Sequence, residues 1–381
     1  MSDPGRDVVD LLARLVAVDS VNPGLVSGAA GEARIAGVVR DWALAASLAA
    51  ELVEHGPGRS SVVVRGGRPG ARRLLLCGHL DTVGPGGMTD PLVPRIEGDR
   101  LYGRGAYDMK AGLAAALVAC REAHRAGLPG EVVVAAVADE EDRSAGVRAL
   151  LPGLDADAAI VTEPTEMAVG VAHKGFVWTE IAVTGVAAHG SRPELGVDAI
   201  VRTGPVLVAL ERLGAELAAQ RHPLLGPATV HASLIAGGQE VSTIPDRCVL
   251  TLEHRTLPGT AVADVEAGVA DLLDRCRAAD PALVADARTL LHRPALETDP
   301  DTAVVRALAG AHEEVRGSPP TVTGLSYWAD AAFLASRGTP TVLFGPGGEG
   351  AHADVEWVGL ADTVDCTRIL VATARRLFTS R

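Results

Sequence analysis

Apolar and polar positions alternate in two regimes along the chain. Over residues 7–18 the apolar side chains Val8, Leu11, Leu12 and Leu15 recur at helical spacing, and the pattern stops near Asn22-Pro23. Residues 32–48 read as a second helix, and residues 61–64 and 73–76 as strands separated by a glycine turn. An Ala-rich stretch, 111–124, reads as helix. Residues 131–138 and 158–161 are unbroken apolar runs, the pattern of strands buried on both faces of a parallel sheet. The character then changes. Residues 176–183 alternate like a half-solvated antiparallel strand. Residues 198–217 are helical, 229–236 and 248–255 are strands, 262–278 is a helix and 282–290 a strand. That strand-helix-strand-strand-helix-strand order is ferredoxin-like. Residues 302–315 (helix), 339–344 (strand) and 358–378 (amphipathic helix) return to the first regime. The expected architecture is α/β: a discontinuous domain of residues 1–175 and 289–381, and an inserted α+β domain of residues 176–288, roughly 110 residues and of ordinary domain size.

Composition narrows the class. At 381 residues the chain is too long for one ordinary core, and two domains is the natural expectation. It is 48% hydrophobic and 22% charged, which is globular, and no apolar run reaches membrane-spanning length. Residues 1–10 lack a signal-peptide pattern, so a cytoplasmic location is expected. Cys77, Cys120, Cys248, Cys276 and Cys366 are scattered, with no pair at zinc or redox spacing, and read as reduced structural thiols. A formal net charge of -13 argues against a nucleic-acid or anionic-membrane partner.

Chemistry concentrates at strand ends. Leu74-Leu75-Leu76 runs into Cys77-Gly78-His79-Leu80-Asp81-Thr82-Val83. A histidine there leaves the sheet at the edge where α/β proteins hold ligands. Asp81 can accept that ring's other N–H, as expected beside a metal-bound histidine, although a polar strand end has the same pattern. Asp108 lies in Gly103-Arg104-Gly105-Ala106-Tyr107-Asp108-Met109-Lys110, at a loop-to-helix junction, and reads either as a helix cap or as a ligand. The 131–138 run ends in Asp139-Glu140-Glu141-Asp142, which is either a solvated turn or a carboxylate cluster that a cation neutralises. Glu163 follows the 158–161 strand. His352 follows the 339–344 strand and a glycine loop.

These segments together resemble the dinuclear zinc aminoacylase/carboxypeptidase family, which includes acetylornithine deacetylase, succinyl-diaminopimelate desuccinylase and carboxypeptidase G. The resemblance covers essentially the whole chain. It rests on Gly78-His79-Leu80-Asp81-Thr82-Val83, the 103–110 motif, Asp139-Glu140-Glu141, Glu163-Pro164-Thr165, Ala188-His189 with Arg192-Pro193-Glu194-Leu195-Gly196, and Ala351-His352. It implies a zinc-peptidase catalytic domain, with a mixed sheet flanked by helices, and an inserted lid that also makes a homodimer. It implies two Zn²⁺, with Co²⁺ or Mn²⁺ as possible replacements: one held by His79, Asp108 and Glu163, the other by Asp108, Glu141 and His352. Asp108 would bridge, Asp81 would orient His79 and Glu140 would be the general base. His189 would reach the partner subunit's site. Two positions depart from the family pattern: Ser242 stands where an asparagine is frequent, and Asp142 where a small residue is frequent.

The chemistry fits the residue types. Two cations about 3.5–4 Å apart clamp attacking water and substrate oxygen, and a two-oxygen carboxylate fits between them. Arg255 is a candidate clamp for a substrate carboxylate, or a surface salt bridge; Ser242 is a candidate substrate contact. The expected reaction is hydrolysis of the amide of an N-acyl-L-amino acid or small peptide by metal-activated water. Glu163-Pro164-Thr165 is closest to acetylornithine deacetylase, and the expected substrate is N-acetylornithine-like. A carboxypeptidase, dipeptidase or desuccinylase on the same scaffold is the alternative.

Overall fold

The computed structural model describes residues 3–70 and 72–379. Its strands, in chain order, are β1 (Ala49–Gly56), β2 (Arg59–Gly67), β3 (Arg73–His79), β4 (Glu131–Val137), β5 (Ala158–Val161), β6 (Val169–His173), β7 (Gly175–Thr184), β8 (Thr229–Gly237), β9 (Arg247–Thr256), β10 (Val284–Arg293) and β11 (Thr341–Leu343), with short two- and three-residue pieces besides. The chain divides into two compact units. One comprises Met1–Val171, Thr298–Thr323 and Ala329–Arg381; the other comprises Ala172–Glu297 and Gly324–Trp328.

The first unit is built on a mixed sheet in the order β1-β2-β4-β3-β5-β11-β6. β3 pairs parallel with β4 and β5, and β11 pairs parallel with β5. Four strands therefore end on the same edge, and that edge receives His79, the acid run, Glu163 and the loop to His352. The apolar runs are buried throughout, as their patterns require. Helices α1 (Pro4–Val16), α2 (Ala33–Ala45) and α3 (Ala111–Arg125) bury Val8, Leu11, Leu12, Leu15, Ile35, Val39, Leu113 and Leu117 in one core. Asp3 caps α1 by accepting from the Gly5 N–H at 3.0 Å.

Two strands carried no readable signal. β1 is half exposed and includes Glu51, Glu54 and His55, so it shows no apolar run; antiparallel pairing with β2 makes it a strand. β6, Val-Gly-Val-Ala-His, is fully buried but too short for a period to show.

The second unit is a ferredoxin-like sandwich. Its sheet runs β8-β9-β7-β10, all antiparallel. Helices Ala199–Ala218 and Val262–Ala279 cover it through Val206, Leu210, Val269 and Leu272, against Ile181, Val183, Leu250 and Leu252. Alternating burial along β7 matches its alternating sequence. The unit extends beyond the expected 176–288. β10 pairs as far as Arg293 with Phe176, and the Trp328 ring packs edge-on against Phe176 with centroids 6.0 Å apart, which brings in Gly324–Trp328. No helix among the described residues is long and apolar enough to cross a membrane.

Candidate metal centre

At the carboxyl edge of the first unit's sheet, two imidazoles face one carboxylate. His79 Nε2 lies 3.2 Å from Asp108 Oδ1 and 3.8 Å from Glu163 Oε1. His352 Nε2 lies 3.2 Å from Asp108 Oδ2 and 3.2 Å from Glu141 Oε2. Asp108 thus gives one oxygen to each histidine. Donor atoms of His79, Glu140 and Glu163 lie within 4.8 Å of one another, as do those of His79, Asp108 and Glu141. Asp108 does not cap a helix: α3 begins at Ala111 with Lys110 at its cap position, and both Asp108 carboxylate oxygens face imidazoles. A side chain at Gly112 would put its Cβ 1.8 Å from the Thr162 carbonyl oxygen, so glycine lets α3 approach the strand end that carries Glu163.

Burial and crowding shift the ionisable groups. Burial pushes the Glu163 carboxyl up to about 8, with Asp108, Glu141 and Asp330 adding and His79 opposing. Burial likewise holds Glu140 well above the carboxylate range, helped by Asp330, Glu163 and Glu141 and opposed by His79. Burial disfavours His79 imidazolium, but Asp108 and the surrounding carboxylates outweigh it and raise the ring. Hydrogen bonds to Asp108 and Glu141 raise His352 to about 10. Burial also pushes the Cys77 thiol well up, so it supplies no thiolate. The donor set is therefore imidazole and carboxylate, crowded and mutually repelling. It suits divalent cations of the Zn²⁺, Co²⁺ or Mn²⁺ kind.

Asp81 supports this site differently from expectation. Its main-chain carbonyl, not its carboxylate, accepts from His79 Nδ1 at 2.9 Å; the carboxylate is 3.8 Å from that nitrogen. A carbonyl only accepts, so Nδ1 carries the proton and Nε2 faces Asp108 and Glu163. The tight turn after β3 puts the carbonyl nearer the ring. The Asp81 carboxylate instead accepts from the Glu140 N–H (3.2 Å), the Glu141 N–H (3.1 Å) and Asn22 Nδ2 (2.8 Å). Asn22 also donates to Asp139 (3.1 Å), and Arg59 bridges Asp139 (2.6 Å) to Glu32 (2.6 and 2.8 Å). The acid run is thus a fixed turn, with Asp139 at φ +69° and facing inward. Asn22 and Arg59 carried no site signal: one sits at a helix stop and the other on an early strand, both far in sequence from what they hold.

The remaining expected residues belong to the second unit. His189 is exposed on a short strand paired with Thr243-Ile244, its Nδ1 2.8 Å from Ser191 Oγ. Ser242 is its neighbour, because the Ser242 carbonyl accepts from the Gly190 N–H at 2.7 Å. The Ser242 hydroxyl is 3.5 Å from Glu240. Arg255 ends β9; it donates to the Ser326 carbonyl at 2.7 Å and lies 3.5 Å from Glu253.

The family model described as "Peptidase family M20/M25/M40" matches residues 75–376, and the chain belongs to that family. An acetylornithine deacetylase of Myxococcus xanthus is 34% identical over 319 residues, 81% of each chain. An aminopeptidase of Bacillus cereus has the same fold, with a TM-score of 0.77 at 22% identity over 98% of each chain. So has a dinuclear metal-binding peptidase of Bacillus subtilis, with a TM-score of 0.74 at 15% identity over 98% of each chain. The chain thus has the fold of this family and is a metal-dependent hydrolase of its class.

Proposed function

We propose that this chain hydrolyses the amide bond of an N-acyl-L-amino acid, N-acetylornithine among the better substrates, using two divalent cations. The observation that supports this most directly is Asp108 shared between His79 and His352 at 3.2 Å each, with Glu140 beside them. His79, Asp108 and Glu163 would hold one cation, and Asp108, Glu141 and His352 the other. When bound, Zn²⁺ or a similar ion supplies Lewis-acid polarisation and lowers the proton affinity of water.

The chain's own groups do the rest. Glu140 takes a proton from the attacking water and returns it to the departing amine; its burial-raised proton affinity suits a group that must do both. The Asp81 carboxylate fixes that turn through two main-chain N–H groups, while the Asp81 carbonyl fixes the His79 tautomer. His189 supplies a donor to the developing oxyanion, and Arg255 holds the substrate carboxylate. Ser242 contributes a shorter polar contact.

The inserted unit, Ala172–Glu297 with Gly324–Trp328, acts as lid and as the contact between two copies. Its edge strand β8 is exposed along its length, with Leu234 68% and Ile235 55% accessible, and an open apolar edge of this kind favours pairing. A cytoplasmic location accords with the metabolite-sized substrate.

The test is a panel of N-acetyl, N-succinyl and dipeptide substrates with added Zn²⁺ or Co²⁺. N-acetyl amino acids should lead. A kcat/KM about 100-fold higher for a dipeptide or an N-succinyl substrate, roughly 2.7 kcal/mol of transition-state preference, rejects the choice in favour of the peptidase or desuccinylase reading.

A further inference from the structure

The irregular turn that carries Asp108, Ala106–Lys110, sends its first amides, with that of Gly105 before it, to a single buried carboxylate. Glu356 is 1% exposed. Its Oε1 accepts from the N–H groups of Tyr107 (2.9 Å) and Asp108 (3.0 Å). Its Oε2 accepts from the Gly105 N–H (2.9 Å) and from Arg104 Nη1 (2.7 Å). Gly105 takes φ +76°, which turns its N–H inward, so three amides converge on one anion. Arg104 is 2% exposed and extends its other arm, Nη2, to the Ala353 carbonyl (2.9 Å) and the Pro85 carbonyl (3.5 Å). Ala353 adjoins His352, which itself sits at φ +63°. One ion pair therefore ties together two loops: one bears the carboxylate shared by both histidines, the other bears the second histidine.

Stability alone is a poor reason for this arrangement. Burying an ion pair has a desolvation cost that an apolar pair of the same shape avoids. What an apolar pair lacks is direction: it cannot aim three amides and a carbonyl. We propose that Glu356 and Arg104 are positioning residues that set the spacing between Asp108 and His352, and through it the affinity and geometry of the second metal site. This rests on the metal-dependent reading above. Neither residue touches substrate; both act through Asp108 and His352.

The test uses the full chain, stripped of metal and titrated with Co²⁺. The visible Co²⁺ absorption is followed, Zn²⁺ is measured by equilibrium dialysis, and the Tm of the metal-free protein is recorded. Glu356→Gln keeps the shape but loses the anion. It should weaken one of the two equivalents by about 10–100-fold, the usual worth of a partner behind a ligand, and change the Co²⁺ band. Arg104→Lys keeps the charge but loses the two-armed reach to Ala353, and should weaken the same equivalent by about tenfold. A Glu356→Gln protein with a lowered Tm but metal affinity within twofold of the unaltered chain and the same band overturns the proposal, because a merely structural role predicts that result. If Glu356→Gln does not fold, the same native readings in Arg104→Lys overturn it. An unaltered chain that fails to take up two equivalents rejects the proposed function instead, so the two failures are distinguishable.

Discussion

The two units hold their candidate residues by opposite means. In the first, all but the exposed His352 are buried or half-buried, and the frame behind them reaches far along the sequence: Asp81 reaches the acid run 59 and 60 positions away, and Arg59 reaches Asp139 across 80. In the second, Arg255 is half-buried and tied to the Ser326 carbonyl 71 positions away, but His189 and Ser242 are exposed, and their bonds are to residues two positions away or to the adjoining strand. A metal centre tolerates little displacement, so its ligands need a rigid, over-determined frame. Groups that meet a substrate only on closure gain from staying mobile. The contrast predicts that damage to the first unit removes metal or stability, whereas damage to the second affects substrate handling alone.

The largest effect should come from Asp108→Asn. One substitution removes the carboxylate shared by both histidines, so metal analysis should show both equivalents weakened and activity at background; two equivalents with normal turnover would break the comparison at its centre. Glu140→Gln should come next, retaining both metals but losing about 10²–10⁴-fold in kcat. Metal loss there, with Glu141→Gln retaining metal, would mean the acid run is shifted by one. Third, Arg59→Met should destabilise the protein by about 3–5 kcal/mol in urea titration, because it strands Glu32 and Asp139 as buried unpaired acids. Arg255→Lys, on the second unit, should leave metal content and Tm unchanged and raise KM about tenfold, since an ammonium lacks the fork for a carboxylate. A metal loss there would show that the units are not independent in function.

The smallest effect is a pH dependence confined to the first unit. Folding raises Glu163 from 4.5 to about 8 through burial, and raises His352 from 6.5 to about 10 through its hydrogen bonds to Asp108 and Glu141. Both groups then bind protons more tightly folded than unfolded, so their contribution is complete below the unfolded values and is lost as pH rises through the folded ones. Metal-free protein should therefore melt at lower temperature at about pH 9 than at about pH 6. Added Zn²⁺, which needs deprotonated ligands, should raise the Tm more at about pH 8 than at about pH 6. A metal-free Tm that rises over this range would contradict the assignment.

The hydrophobic pattern alone dictates the two regimes of the fold. Apolar runs of 131–138 and 158–161, short and without polar breaks, read as strands buried on both sides, and the order of elements through 284–293 is ferredoxin-like whatever packs against it. It also put His79, Glu140, Glu141, Glu163 and His352 at element ends, because buried strands exclude such groups until the chain leaves the sheet. How they are held depends on contacts that form only in the folded chain. Asp108 reads equally as a cap, and only the fold brings one of its oxygens to each histidine. Asp81 orients His79 by its carbonyl rather than its carboxylate, because a turn measured in tenths of an ångström chooses between the two acceptors. Asn22, Arg59 and Glu356 have no local signature, and Arg104 lies in the 103–110 motif with nothing there to show its partner. Their roles consist of hydrogen bonds across 19 to 252 positions, and such pairings exist only once the sheet has brought its strand ends together.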